Sequence, residues 1–162
     1  ASGGDDAYEY AWGGTAGVGG GIVVSSETLG FHQIRNRDSP WRGSEEKAYM
    51  RFTLDIPANA TVTEARLHVR AEGTSCYEGS KLHLSVEDSD DAAPIDPHRQ
   101  FGLSSRPKTS TTVEWVVGSK WKWAEEDQES DDIAELFNSV ISRPGWRAGN
   151  HILIEMYQMK IP

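Results

Sequence analysis

AYMRFTLDIPANATVTEARLHV, residues 48–69, decides the fold of this chain. From Ala48 the side chains alternate, with Tyr49, Arg51 and Thr53 on one side and Met50, Phe52 and Leu54 on the other. Period-two alternation is the mark of a strand with one face on a core. Pro57, which has no N–H for a ladder, ends the run. A second run, TVTEARLHVRAEG (61–73), puts Val62, Ala65, Leu67, Val69 and Ala71 mostly on one side. Two strands joined at a proline corner are therefore expected.

Working outward, similar runs recur with Gly, Pro or Asp between them. They are IVVS (22–25), FHQI (31–34), KLHLSVED (81–88), TTVEWVVG (111–118) and HILIEMY (151–157). This punctuation predicts a mostly β protein, an antiparallel β-sandwich of jelly-roll-like character. GGTAGVGGG (13–21) reads as a loop, and it lacks the Lys-Ser/Thr of a phosphate-binding loop.

One helix interrupts the strands. In SDDIAELFNSVISRPG (130–145), Ile133, Leu136, Phe137, Val140 and Ile141 form a single helical stripe. Ser130 is the expected N-cap, and Asp131 and Asp132 suit the positive end of the helix dipole. Pro144-Gly145 cannot prolong the helix, so an α-helix near the C-terminus is predicted to pack on the sandwich.

At 162 residues the chain is expected to be one module, 1–162, with a net charge of -9. That charge argues against nucleic acid, whose phosphates need a basic face. No apolar run approaches the ~20 residues of a membrane span, so no membrane insertion is expected. Cys76 is the only cysteine, which rules out an internal disulfide.

Three stretches carry a resemblance. They are the strand and corner of AYMRFTLDIPANATVTEARLHV, the Arg-Pro-Lys-Thr lead of SSRPKTSTTVEWVV, and DDIAELFNSVISRPGWRAGNHILI, whose helix ends in Arg-Pro-Gly-Trp. Together they resemble a jelly-roll-like domain of secreted and cell-surface multidomain proteins, similar to DNRLRE modules and family 96 carbohydrate-binding modules. EDSDDAAPI (87–95) resembles the family's acidic loop, and DDAYEY (5–10) its opening. The resemblance implies an extracellular β-sandwich inside a larger multidomain secreted protein. It supplies no ligand residue. The corner glycine usual in the family is Asn59 here, a residue that also tolerates left-handed backbone. Trp115 and Trp146 lie within the shared pattern and are expected to be buried packing residues.

Aromatics outside that pattern are the better ligand candidates. Trp12, Trp41, Trp123 and Tyr77, with Tyr8 and Tyr10, fall in predicted loops or strand ends. The C–H faces of sugar rings stack on such side chains. Arg37 and Arg42 flank Trp41 and suit a carboxylate or sulfate on an acidic sugar. Asp5, Asp6 and Glu9 near the start, with Asp88 and Asp90 in a second acidic loop, could supply oxygen ligands to a structural calcium. For zinc, His68 and His83 could meet across a ladder, but no third ligand is evident.

Nucleophilic catalysis has no foothold, because there is no G-x-S-x-G and Cys76 has no base argued for it. The expected function is that of a non-catalytic carbohydrate-binding module for a polysaccharide. A structural or adhesion module of a large surface protein is the alternative. Carboxylates are plentiful, which leaves a polysaccharide lyase or glycoside hydrolase as a third reading.

Overall fold

The computed structural model describes residues 5–14, 17–24, 45–70, 79–99, 101–117 and 127–158, with the side chains at 11–14, 17–19 and 45 outside that description. Along the chain run β1 (Asp6–Gly14), β2 (Gly17–Val24), β3 (Glu45–Thr53), β4 (His68–Arg70), β5 (Lys81–Glu87), β6 (Lys108–Val116), β7 (Asp127–Glu129), α1 (Ala134–Ile141) and β8 (His151–Gln158). Six strands form one antiparallel sheet in the order β2-β1-β3-β8-β5-β6, and β4 pairs with β7 in a small second sheet. The architecture is antiparallel and sandwich-like, mostly β with one short helix, as the alternation predicts.

Both faces of the large sheet are covered. On the first, Met50, Leu84, Val113, Ile152 and Ile154 meet the helix stripe of Ile133, Leu136, Val140 and Ile141. Burying one such aliphatic side chain is worth about 1.5–3 kcal/mol. On the second face Ala7, Tyr49 and Leu153 pack under Ala92, Ile95 and Leu103 of the long β5–β6 connection.

The segment 61–67, predicted as strand, joins no sheet. Its backbone is satisfied by the approach to α1 instead. Asn138 bonds both the N–H and the carbonyl of Val62, Asp132 accepts from Ala65 N, and Ser130 Oγ accepts from Leu67 N. Ser130 N and Ile133 N in turn donate to the carbonyls of Leu67 and Ala65. Buried N–H and C=O groups need partners, but a ladder is only one way to supply them.

Ser130 is consequently not the N-cap. Ile133 holds that position without a side-chain bond, and Asp132 Oδ1 accepts from Ala134 N. The glycine tract is a second correction, since Gly17–Val24 is a strand paired along β1 rather than a loop. FHQI (31–34) lies outside the described residues.

The two quoted corners lock together. Trp146 is fully buried and donates from Nε1 to Ile56 O at 2.9 Å. Gly149 N donates to Leu54 O and Leu54 N to Asn150 O. Gly149 takes φ 90 and Asn59 takes φ 66, both left-handed, as the Asn59 corner predicts. Trp115 is 4% exposed, so both pattern tryptophans are packing residues.

Candidate binding site on the β1–β2 hairpin

The sequence DAYEYAWGG of β1 alternates, and the sheet sorts its side chains by that alternation. Ala7 and Glu9 go to the second face, beneath the β5–β6 connection, where both are buried. Asp6, Tyr8 and Tyr10 go to the first face and remain half-buried. The two tyrosine rings lie 6.4 Å apart at 45°.

The hairpin register explains the glycines opposite. Tyr8 pairs with Val23, Tyr10 with Gly21 and Trp12 with Gly19. A Cβ on Gly21 would come within 2.8 Å of Tyr10 Oη, so the phenol ring rests on bare backbone. On the other face a Cβ on Gly20 would sit 2.4 Å from Tyr10 O and 2.7 Å from Phe101 Cε1. Glycine is a poor strand former, and it is used here because rings approach the backbone from both sides. Val23, 37% exposed, continues the apolar surface beside Tyr8.

Carboxylates border this strip. Glu46 of β3 stands opposite Tyr10, and Asp6 precedes Tyr8 by two residues on the same face. Burial, reinforced by the charge of neighbouring Asp5, raises the Asp6 carboxyl above its ordinary range.

Of the sequence-predicted ligand residues, Trp12 lies in β1 opposite Gly19, in line with the tyrosine pair along the strand. Trp41, Trp123, Arg37, Arg42 and Tyr77 lie outside the described residues.

The carboxylates considered for calcium are distributed over separate settings. Asp5 accepts from Arg51 Nη1 at 2.9 Å. Glu9 accepts from the backbone N–H groups of Leu103 and Ser104, anchoring the β5–β6 connection. Asp88 and Asp90 both bind the guanidinium of Arg143. Among the described residues no group of three His, Cys, Asp or Glu is placed to hold a metal ion. His68 and His83 stand in different sheets, so the expected approach across one ladder is not made. His68 faces Glu129, while His83 faces Glu114 and stacks on Tyr157.

A polar network on the second face escapes sequence reasoning. Register aligns Glu9, Lys47, Tyr157, His83 and Glu114 in one row across five strands, and Tyr49, Glu155, Ser85 and Thr112 in the next. Glu155, 4% exposed, binds Lys47 at 3.2 Å and Lys108 at 3.3 Å. Lys108 also donates to the carbonyls of Leu103 and Arg106. Arg106 binds Glu87 and the carbonyls of Ala93 and Pro94. These bonds hold the β5–β6 connection down. The alternation assigns each residue to a face, but only strand order makes neighbours of them.

Among the described residues no helix is long and apolar enough to cross a membrane. Comparison of the chain with protein-family models, curated proteins and solved structures finds no significant match.

Proposed function

We propose that this chain is a non-catalytic carbohydrate-binding module that holds a polysaccharide on the β1–β2 hairpin, through Tyr8, Tyr10 and the adjoining Trp12. The observation that carries the reading is the half-buried Tyr8–Tyr10 pair, with ring centroids 6.4 Å apart and the Tyr10 ring resting on Gly21. Aromatic faces at alternate strand positions recur about every 7 Å along one face, and the C–H faces of sugar rings stack on such side chains. Burial of Trp115 and Trp146 leaves the off-pattern aromatics as the ligand set. The motif resemblance implies an extracellular, multidomain setting for such a module.

Affinity electrophoresis against a broad polysaccharide panel tests the reading. Retardation is expected for at least one polymer, without new reducing ends or unsaturated products. Tyr8→Ala and Tyr10→Ala should each weaken binding about fivefold, the equivalent of roughly 1 kcal/mol for one aromatic contact. Unchanged mobility across the panel would leave the structural or adhesion reading. Structural calcium is tested separately, because a tightly held ion predicts a lower melting temperature with chelator.

A further inference from the structure

The chain has four asparagines, and only Asn59 is followed two residues later by a hydroxyl side chain, in Asn59-Ala60-Thr61. That triplet, with no proline in the middle, is the acceptor for N-linked glycans on the surface of a secreted chain. Its setting here is a tight corner. Ala60 N donates to Pro57 O at 3.2 Å, closing a turn in which Asn59 takes φ 66. Both ends of the corner are pinned, at Ile56 by the Trp146 indole and at Val62 by the two bonds from Asn138. Between those ends Pro57, Ala58, Asn59 and Thr61 are exposed.

The described asparagines divide by what their amides do. Asn138 bonds the N–H and carbonyl of Val62, and Asn150 Nδ2 donates to Asp90 O. Neither begins such a triplet. Among the described residues, neither the Asn59 nor the Thr61 side chain has a hydrogen-bond partner. The left-handed turn accounts for asparagine at position 59, where glycine would serve as well. It does not account for an exposed hydroxyl two residues later.

We propose that Asn59 is a site of N-linked glycosylation, an inference that rests on the extracellular setting and not on the sugar platform. The donor is an oligosaccharide carried on a polyprenyl diphosphate. Asn59 Nδ2 attacks the anomeric carbon, the bond from that carbon to the diphosphate oxygen breaks, and a carbon–nitrogen bond forms. One amide proton is lost and the polyprenyl diphosphate leaves, with no change of oxidation state. Thr61 supplies the hydroxyl that the transferase reads. The glycan stands clear of the tyrosine pair, because Ala48, opposite Tyr8, is about 17 Å of strand from Thr53 and the corner lies beyond.

The test is the intact mass of the full chain, isolated from its own organism and, separately, secreted from a eukaryotic host. Both preparations are expected to carry the added mass of an oligosaccharide, which peptide mapping should place on Asn59. In the host, Asn59→Gly keeps the left-handed turn and Thr61→Ala keeps the asparagine, and each should abolish the added mass. Urea midpoints of the two variants confirm that they fold. A bare Asn59 in either preparation would overturn the proposal, and so would added mass that survives both substitutions.

Discussion

Trp146 donates its indole N–H to the carbonyl of Ile56, at 2.9 Å, across 90 residues of chain. The contact ties the corner after α1 to the corner after β3, so the last strand enters the sheet where the third one leaves it. Trp146→Phe keeps most of the apolar contact and leaves the part-buried Ile56 carbonyl without its indole donor. It should lower stability by about 1–3 kcal/mol. Trp146→Ala adds a cavity and should cost about 3–5 kcal/mol. Urea denaturation measures both, and a silent Trp146→Phe would show that the bond contributes nothing.

Tyr49 predicts the opposite sign for a similar deletion. Its ring is wholly buried, and no hydrogen bond of good geometry satisfies its hydroxyl. Burial and the nearby charge of Glu155 push the phenol far above its ordinary range, so it stays protonated. Tyr49→Phe removes an unsatisfied polar atom and should be neutral or stabilising by up to about 1 kcal/mol. A loss beyond about 2 kcal/mol would mean that the hydroxyl has a strong partner.

Glu155→Gln removes the anion shared by Lys47 and Lys108. Breaking a buried pair costs roughly 3–5 kcal/mol, and partial exposure of both lysines puts the expectation at the lower end, about 3 kcal/mol. Double mutation with Lys108→Met should recover part of it. Additivity of the two changes would argue that the groups do not interact.

The Asp132 carboxyl is held below its ordinary value of 3.8, chiefly by the Ala65 N–H and next by the Ala134 N–H. A depressed folded pKa means that the unfolded chain binds the proton more readily. The stabilisation is therefore present above 3.8 and lost as pH falls through the lower folded value. Asp132→Ala should lower the urea midpoint at neutral pH, and the gap to wild type should close in acid. A gap independent of pH would show that charge is not what matters at this position.

The glycines of β2 divide by what lies against them. Gly20→Ala drives a methyl into the Tyr10 carbonyl and the Phe101 ring, where backbone cannot yield. It should cost roughly 1–3 kcal/mol, read from thermal or urea unfolding. Gly21→Ala meets only the end of the Tyr10 side chain, which can swing away. Stability should change less, while binding on the strip should fall with the displaced ring. Equal behaviour of the two variants would contradict the packing described.

Much of the fold is legible in single residues. Alternation in 48–53, 81–87 and 151–157 marks three strands because successive side chains point to opposite faces of a sheet, here a wholly apolar face and a more polar one. The helix stripe from Ile133 to Ile141 and the left-handed Asn59 follow from equally local rules. Gly17–Val24 misleads because the usual reading of glycine is conformational freedom. Here its use is the lack of a side chain beneath Tyr10 and Phe101, a fact about neighbours. Leu67 is read correctly as buried and wrongly as strand, since burial follows from its chemistry while its backbone partner, Ser130, is 63 residues away.

The candidate site divides in the same way. Tyr8 and Tyr10 are visible as spare aromatics, and nothing local says that Tyr10 stands over Gly21 with carboxylates nearby.

By itself, then, the chain determined which residues of its alternating runs turn inward, where the helix and the strands at 48–53, 81–87 and 151–157 lie, and that its charge is acidic. These depend on spacing and side-chain chemistry over a few residues. Strand order, the Trp146–Ile56 lock and the pairing of Glu155 with two lysines were decided only in three dimensions. They join positions far apart in sequence, and only folding sets the distances on which packing and Coulomb energies depend.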